Sequence, residues 1–94
     1  MNTDMNKLEE MAILSDERVG QIIGKGFMPI YSEDGNGIEF RNCNKSLVFE
    51  YRENMQSYVS MVKMDDGRTE GFVNGIRHKV FDNLMKLADK YGKN

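Results

Sequence analysis

The spacing of apolar side chains changes character twice along the chain. In the first segment Leu8, Met11, Ala12, Val19, Ile22 and Ile23 recur at three- and four-residue intervals, the period of one helical face. Thr3 or Asp4 can cap its start, and Ser15 ahead of Asp16 and Glu17 offers a second N-cap, so the pattern predicts a helix broken or bent near Ser15. It should stop at Lys25, with Gly26 in the left-handed conformation and Phe27 set against Ile22.

From Phe27 to Met64 the pattern becomes short apolar runs separated by turn clusters at 33–37, 42–45 and 53–56, with Asp65-Asp66-Gly67 closing the series. This predicts an antiparallel meander. Pro29 has no N–H to give a ladder, which puts residues 27–32 on a sheet edge. The best-determined hairpin joins 46–52 to 57–64. With Arg52 facing Ser57, Leu47 pairs with Val62, Phe49 with Ser60 and Tyr51 with Tyr58 on one face. Val48–Met61 and Glu50–Val59 then lie on the other.

Residues 68–73 read equally as a loop or a short last strand containing Phe72 and Val73. Asn74 is placed to cap a terminal helix whose stripe is Ile76, Val80, Phe81, Leu84, Leu87, Ala88 and Tyr91, with Gly92 at its end. Asp82 and Lys86 fall within helical contact range of each other. The predicted fold class is α+β: an N-terminal helix, a three- to four-stranded antiparallel meander and a C-terminal helix, in a single domain over 1–94. Both helices should cover the face carrying Leu47, Phe49, Tyr51 and Val62.

Composition narrows the functional classes. The chain has 94 residues, 39% of them apolar, which suits one small core. Cys43 is the only cysteine, so no internal disulfide or cysteine-rich metal site can form, and a reducing compartment is expected. Asp4, Glu9 and Glu10 interrupt the first ten residues, which is not a signal-peptide pattern, and no apolar run is long enough to span a membrane. The expectation is a cytoplasmic protein without membrane contact. A net charge of −2 argues against nucleic acid as the general partner. Abundant Asn and a single Pro are associated with AT-rich genomes, including those of many phages.

The run Val19-Gly20-Gln21-Ile22-Ile23-Gly24-Lys25-Gly26, followed by Ile30, resembles the helix–GXXG–helix entrance of a KH domain. The resemblance covers that stretch alone. It implies single-stranded RNA binding, with Gly24, Lys25 and Gly26 letting the backbone approach the strand. The family's fourth-position glycine is Phe27 here, and Pro29 and the 33–37 turn cluster fall where its second helix runs.

Other candidate motifs reduce to structure. Asp34-Gly35-Asn36-Gly37 has the look of a calcium loop, but Ser32 and Cys43 would occupy its first and twelfth ligand positions, and a hairpin turn accounts for the same residues. His78 has Asp82 four residues on and no identifiable nucleophile, so no catalytic residue is assigned. Cys43 lies in a turn without an activating neighbour. No metal or cofactor is expected.

What remains is the second face of the hairpin. Val48, Val59 and Met61 would supply an apolar centre and Glu50, Arg52 and Lys63 a charged rim, the anatomy of a modest interface. The eight methionines serve packing first, and Met61 is the one placed equally well for a partner. The expected function is a non-catalytic protein-interaction module, an inhibitor or adaptor of phage or mobile-element type, binding a host protein or forming a homodimer. The alternatives are a KH-like RNA binder and a small-ligand binder with its pocket between sheet and terminal helix.

Overall fold

The computed structural model describes residues 17–32 and 36–92. Helix α1 (Glu17–Gly24) leads into strands β1 (Met28–Tyr31), β2 (Gly37–Asn42), β3 (Lys45–Arg52), β4 (Ser57–Met64) and β5 (Thr69–Gly75), and helix α2 (Arg77–Tyr91) closes the chain. The strands form one antiparallel sheet in the order β1-β2-β3-β4-β5. The fold is α+β, with five strands rather than three or four.

Helix α1 ends where the glycine placed it. Gly26 has φ 98°, and Lys25 and Gly26 donate their N–H groups to the carbonyls of Ile22 and Ile23, each at 3.0 Å. Phe27 is buried in the same cluster as Ile22. The predicted caps at Thr3 and Asp4 and the bend at Ser15 lie outside the described residues.

The meander follows side-chain alternation. β1 carries Pro29 on the sheet edge, where a missing N–H costs no internal ladder bond. The β3–β4 register pairs Leu47 with Val62, Phe49 with Ser60, Tyr51 with Tyr58 and Arg52 with Ser57, as the alternation of the two segments predicts. The turns bear left-handed residues, Cys43 (φ 55°) between β2 and β3 and Gln56 (φ 49°) between β3 and β4.

The core fills the layer between helices and sheet. Ile38, Phe40, Leu47, Phe49 and Val62 from the strands meet Val80, Phe81, Leu84, Leu87 and Ala88 of α2, and Val19 and Ile22 of α1 join them. Phe81 lies edge-on to Phe49 at 5.0 Å between ring centroids, and the Arg18 guanidinium sits 4.2 Å from the Phe81 ring centre. Arg18 also reaches Asp82 at 3.5 Å, and Lys25 pairs with Asp89 at 2.9 Å, so both ion pairs tie α1 to α2. Asp82 therefore faces α1 instead of Lys86.

Residues 69–75 are a strand, and this corrects the start of the terminal helix. Asn74 belongs to β5, opposite Val59, and the helix is preceded by Ile76, which makes no side-chain cap and is 60% exposed. Ile76 is outside the apolar stripe. The β4–β5 ladder shifts register between Ser60 and Val62, so that Gly71 and Phe72 together oppose Met61. This is a β-bulge, and Gly71 takes φ 69° within it.

Polar groups fasten the bulge to α2. Asn83 donates through Nδ2 to the Gly71 carbonyl and to Ser60 Oγ, both at 2.9 Å. Ser60, wholly buried, donates in turn to the Val80 carbonyl at 2.9 Å. The network runs from the exposed bulge to the buried Ser60 hydroxyl, whose two bonds offset the cost of taking it out of water.

Candidate functional site

Side chains alternate along a strand, so the residues of β3 and β4 that do not face the helices share the other side of the sheet. Register places them in rows. Glu39, Val48 and Met61 are successive cross-strand partners, with Phe72 beyond them on β5. The next row reads Arg41, Ser46, Lys63 and Thr69, and the row on the other side reads Gly37, Glu50, Val59 and Asn74. The bulge decides one of these positions. Regular alternation from Glu70 would turn Phe72 towards the helices; the extra residue, Gly71, returns Phe72 to the open face and Val73 to the core side.

An open groove of about 410 Å³ runs over this face. Val48 and Met61 lie along it, with Glu39, Glu50, Arg52 and Lys63 at its borders and Thr69 and Phe72 on the β5 side. Beyond Glu39 and Lys63 it continues into a depression of about 220 Å³ that reaches Arg41, Ser46 and Asp65.

Five of the six predicted partner-binding residues, Val48, Glu50, Arg52, Met61 and Lys63, therefore come together in one feature. Val59 does not. It is 0% exposed and lines no part of the groove, while Val48 and Met61, at 5% and 7%, are a recessed floor instead of a presented apolar centre. The fifth strand is the cause: it places Asn74 and Phe72 alongside residues that a four-stranded sheet would leave nearer an edge. Among the residues that line the groove the exposed apolar group is Phe72, at 46%; Ile30, at 47%, stands on the same face beyond Glu39, its partner on β2.

Sequence reasoning missed Glu39, Thr69 and Phe72. Glu39 was legible, since Ile38, Glu39, Phe40 and Arg41 alternate and the apolar pair must face the core. Phe72 was not, because the bulge breaks the alternation that would have assigned its side.

The charges on the face divide into paired and unpaired. Arg52 Nε donates to Glu50 at 2.6 Å, each side chain about one-third exposed. Arg41 pairs with Asp65 at 2.7 Å and donates to Ser46 Oγ at 3.3 Å. Glu39 and Lys63 form no ion pair with the described residues. Two groups elsewhere are displaced from their ordinary titration. The Arg68 backbone N–H, aided by its guanidinium, holds the Asp66 carboxyl below 3.8, and a hydrogen bond to Glu70 raises the Tyr91 phenol above 10.0. Neither residue lines the groove.

The alternative site takes a different form from the one the KH resemblance implies. Gly24 and Gly26 are exposed, but the chain enters β1 at Met28, so no second helix follows the glycine loop. The Lys25 ammonium is engaged by Asp89. Between sheet and α2 the space is occupied by Leu47, Phe49, Val62, Val80, Phe81 and Leu84, all fully buried. Among the described residues no group of three or more His, Cys, Asp or Glu is arranged to hold a metal, and no helix is long and apolar enough to cross a membrane. His78 and Cys43 are exposed and distant in the chain from one another.

Comparison with known proteins finds no matching family model, no matching curated protein and no matching solved structure.

Proposed function

We propose that this chain is a non-catalytic protein-interaction module of the cytoplasm, an inhibitor or adaptor of the kind carried by phages and mobile elements, and that it engages its partner through the groove face. The observation that carries this reading is the groove itself. A recessed apolar floor of Val48 and Met61, an exposed Phe72 beside it and a border of Glu39, Glu50, Arg52 and Lys63 combine an apolar centre with a charged rim. Phe72 makes the contact point that a partner meets first, and the charges select among partners.

The experiment follows from the geometry. Replacing Val59 by Asp would bury an unpaired carboxylate and test folding more than binding, so the probe belongs at the exposed position. A photo-crosslinking p-benzoylphenylalanine at position 72, expressed in cells, should yield a protein adduct of defined mass. The same residue at position 86, exposed on α2, is the control. Equal adducts at both positions, or none at 72, would remove the groove face as the interaction surface.

A further inference from the structure

The unpaired charges of the groove are arranged diagonally. Val48 and Met61 face each other across β3 and β4. Glu39 stands beside Val48 on the β2 side, whereas Lys63 stands on the β4 side one row away, opposite Ser46. The acid and the base thus lie on opposite sides of the apolar pair. Glu50 and Arg52 already neutralise each other, and Arg41 is held by Asp65, so Glu39 and Lys63 are the groove charges left for an incoming surface among the described residues. A surface that fits must present a base over Glu39, a base's counterpart over Lys63 and apolar groups between them.

The face of this same protein has that composition. We infer that the occupant of the groove is a second copy of the chain, docked face to face about a twofold axis. In an isologous contact every pair occurs twice, so the rotation that brings Lys63 of one copy over Glu39 of the other also brings Glu39 over the second Lys63. The same rotation carries Val48 towards Met61 of the second copy and Met61 towards its Val48. Phe72 crosses to the Glu50 side of the opposite groove, where an exposed aromatic ring enters a recess. A net charge of −2 leaves little repulsion between copies to overcome. This inference rests on the groove being an interaction surface and names what fills it.

The arrangement is tested by charge exchange on the full chain, read by native mass spectrometry and sedimentation at several concentrations. Wild type should be a dimer. Lys63→Glu sets two acids against each other at both symmetric contacts, and Glu39→Lys sets two bases, so each should raise the dimer dissociation constant roughly tenfold or more. Mixed in equal amounts, the two variants should recover a heterodimer, because each then supplies what the other lacks. Circular dichroism checks that both fold; should Glu39→Lys not fold, Glu39→Gln takes its place, and its dimer should be weaker than wild type and should not be restored by added salt. A wild type that is monomeric at roughly 100 μM overturns the inference, as does a mixture that stays monomeric or single variants that dimerise like wild type. Crosslinks from position 72 to a different protein, with a monomeric wild type, would leave the groove as an interaction face and discard the second copy as its occupant; no crosslink and no dimer would discard both.

Discussion

Gly71 does more than any other single residue to shape the open face. Its φ of 69° is a conformation that a side chain resists, and a Cβ there would come within 2.6 Å of a terminal methyl of Leu87. Both effects oppose Gly71→Ala. The backbone contribution and the displacement of Leu87 together should cost about 2 kcal/mol, lowering Tm by roughly 10 °C for a domain of this size. A thermal melt checks the sum, and a Gly71→Ala, Leu87→Ala cycle divides it: the double variant should recover the steric part and leave the backbone part. A Gly71→Ala protein as stable as wild type would show that the bulge is not held in the left-handed form. The bulge also explains why Phe72 escaped sequence reasoning. A residue's side of the sheet is inferred from its parity along the strand, and one inserted glycine reverses the parity of everything after it.

At the scale of elements, legibility tracked the regularity of alternation. The β3–β4 hairpin was readable to the residue because Leu47, Phe49 and Tyr51 alternate without interruption opposite Val62, Ser60 and Tyr58. β1 was readable as an edge because Pro29 excludes it from the interior. The start of α2 was not. Asn74 has the chemistry of an N-cap, yet pairing with Val59 in the ladder claims it for β5, and the helix begins after Ile76 without any side-chain cap. Its attachment is made instead by Asn83, a position that periodicity marks only as polar. The Nδ2 group joins β4 through Ser60 and the bulge through Gly71, so one amide holds three elements in register. Asn83→Ala should therefore destabilise by about 1 kcal/mol, chiefly because it leaves buried Ser60 short of one bond, the exposed Gly71 carbonyl being open to water. Asn83→Asp cannot donate and should be no better. Urea denaturation measures both; a loss in Asn83→Ala no larger than that of a surface substitution would mean that water replaces the amide freely.

For the whole molecule, as far as the described residues go, one side of the sheet is sealed by two helices and the other carries charged side chains among apolar ones such as Phe72 and Ile30, and the site was legible to the same degree as that division. The two-faced hairpin implied a face with Val48, Val59 and Met61 at its centre and Glu50, Arg52 and Lys63 around them; that the centre is recessed into a groove, with Val59 outside its lining, depended on a fifth strand that the pattern did not establish. That strand is an outer edge, and its attachment to the end of α2 includes the Tyr91 hydroxyl, which donates to Glu70 of β5. The contact makes the closure of the molecule depend on pH in a definite direction. Ionising the phenol would remove the donated proton and set a second negative charge beside the Glu70 carboxylate, which is why the Tyr91 pKa lies above 10.0 in the folded chain. Because the folded-state value is the higher one, the contribution is fully present below the unfolded pKa and disappears as pH rises through the folded one. Wild type should thus exceed Tyr91→Phe in stability by a constant margin up to about pH 9, and the margin should shrink as pH climbs past 10. Paired urea melts of the two proteins over that range isolate this hydroxyl from every other group that titrates there. A margin that stayed level into the alkaline range would mean that β5 and α2 are joined without it, through the Asn83 network and the packing of Val73, with the β4–β5 ladder holding the edge of the sheet.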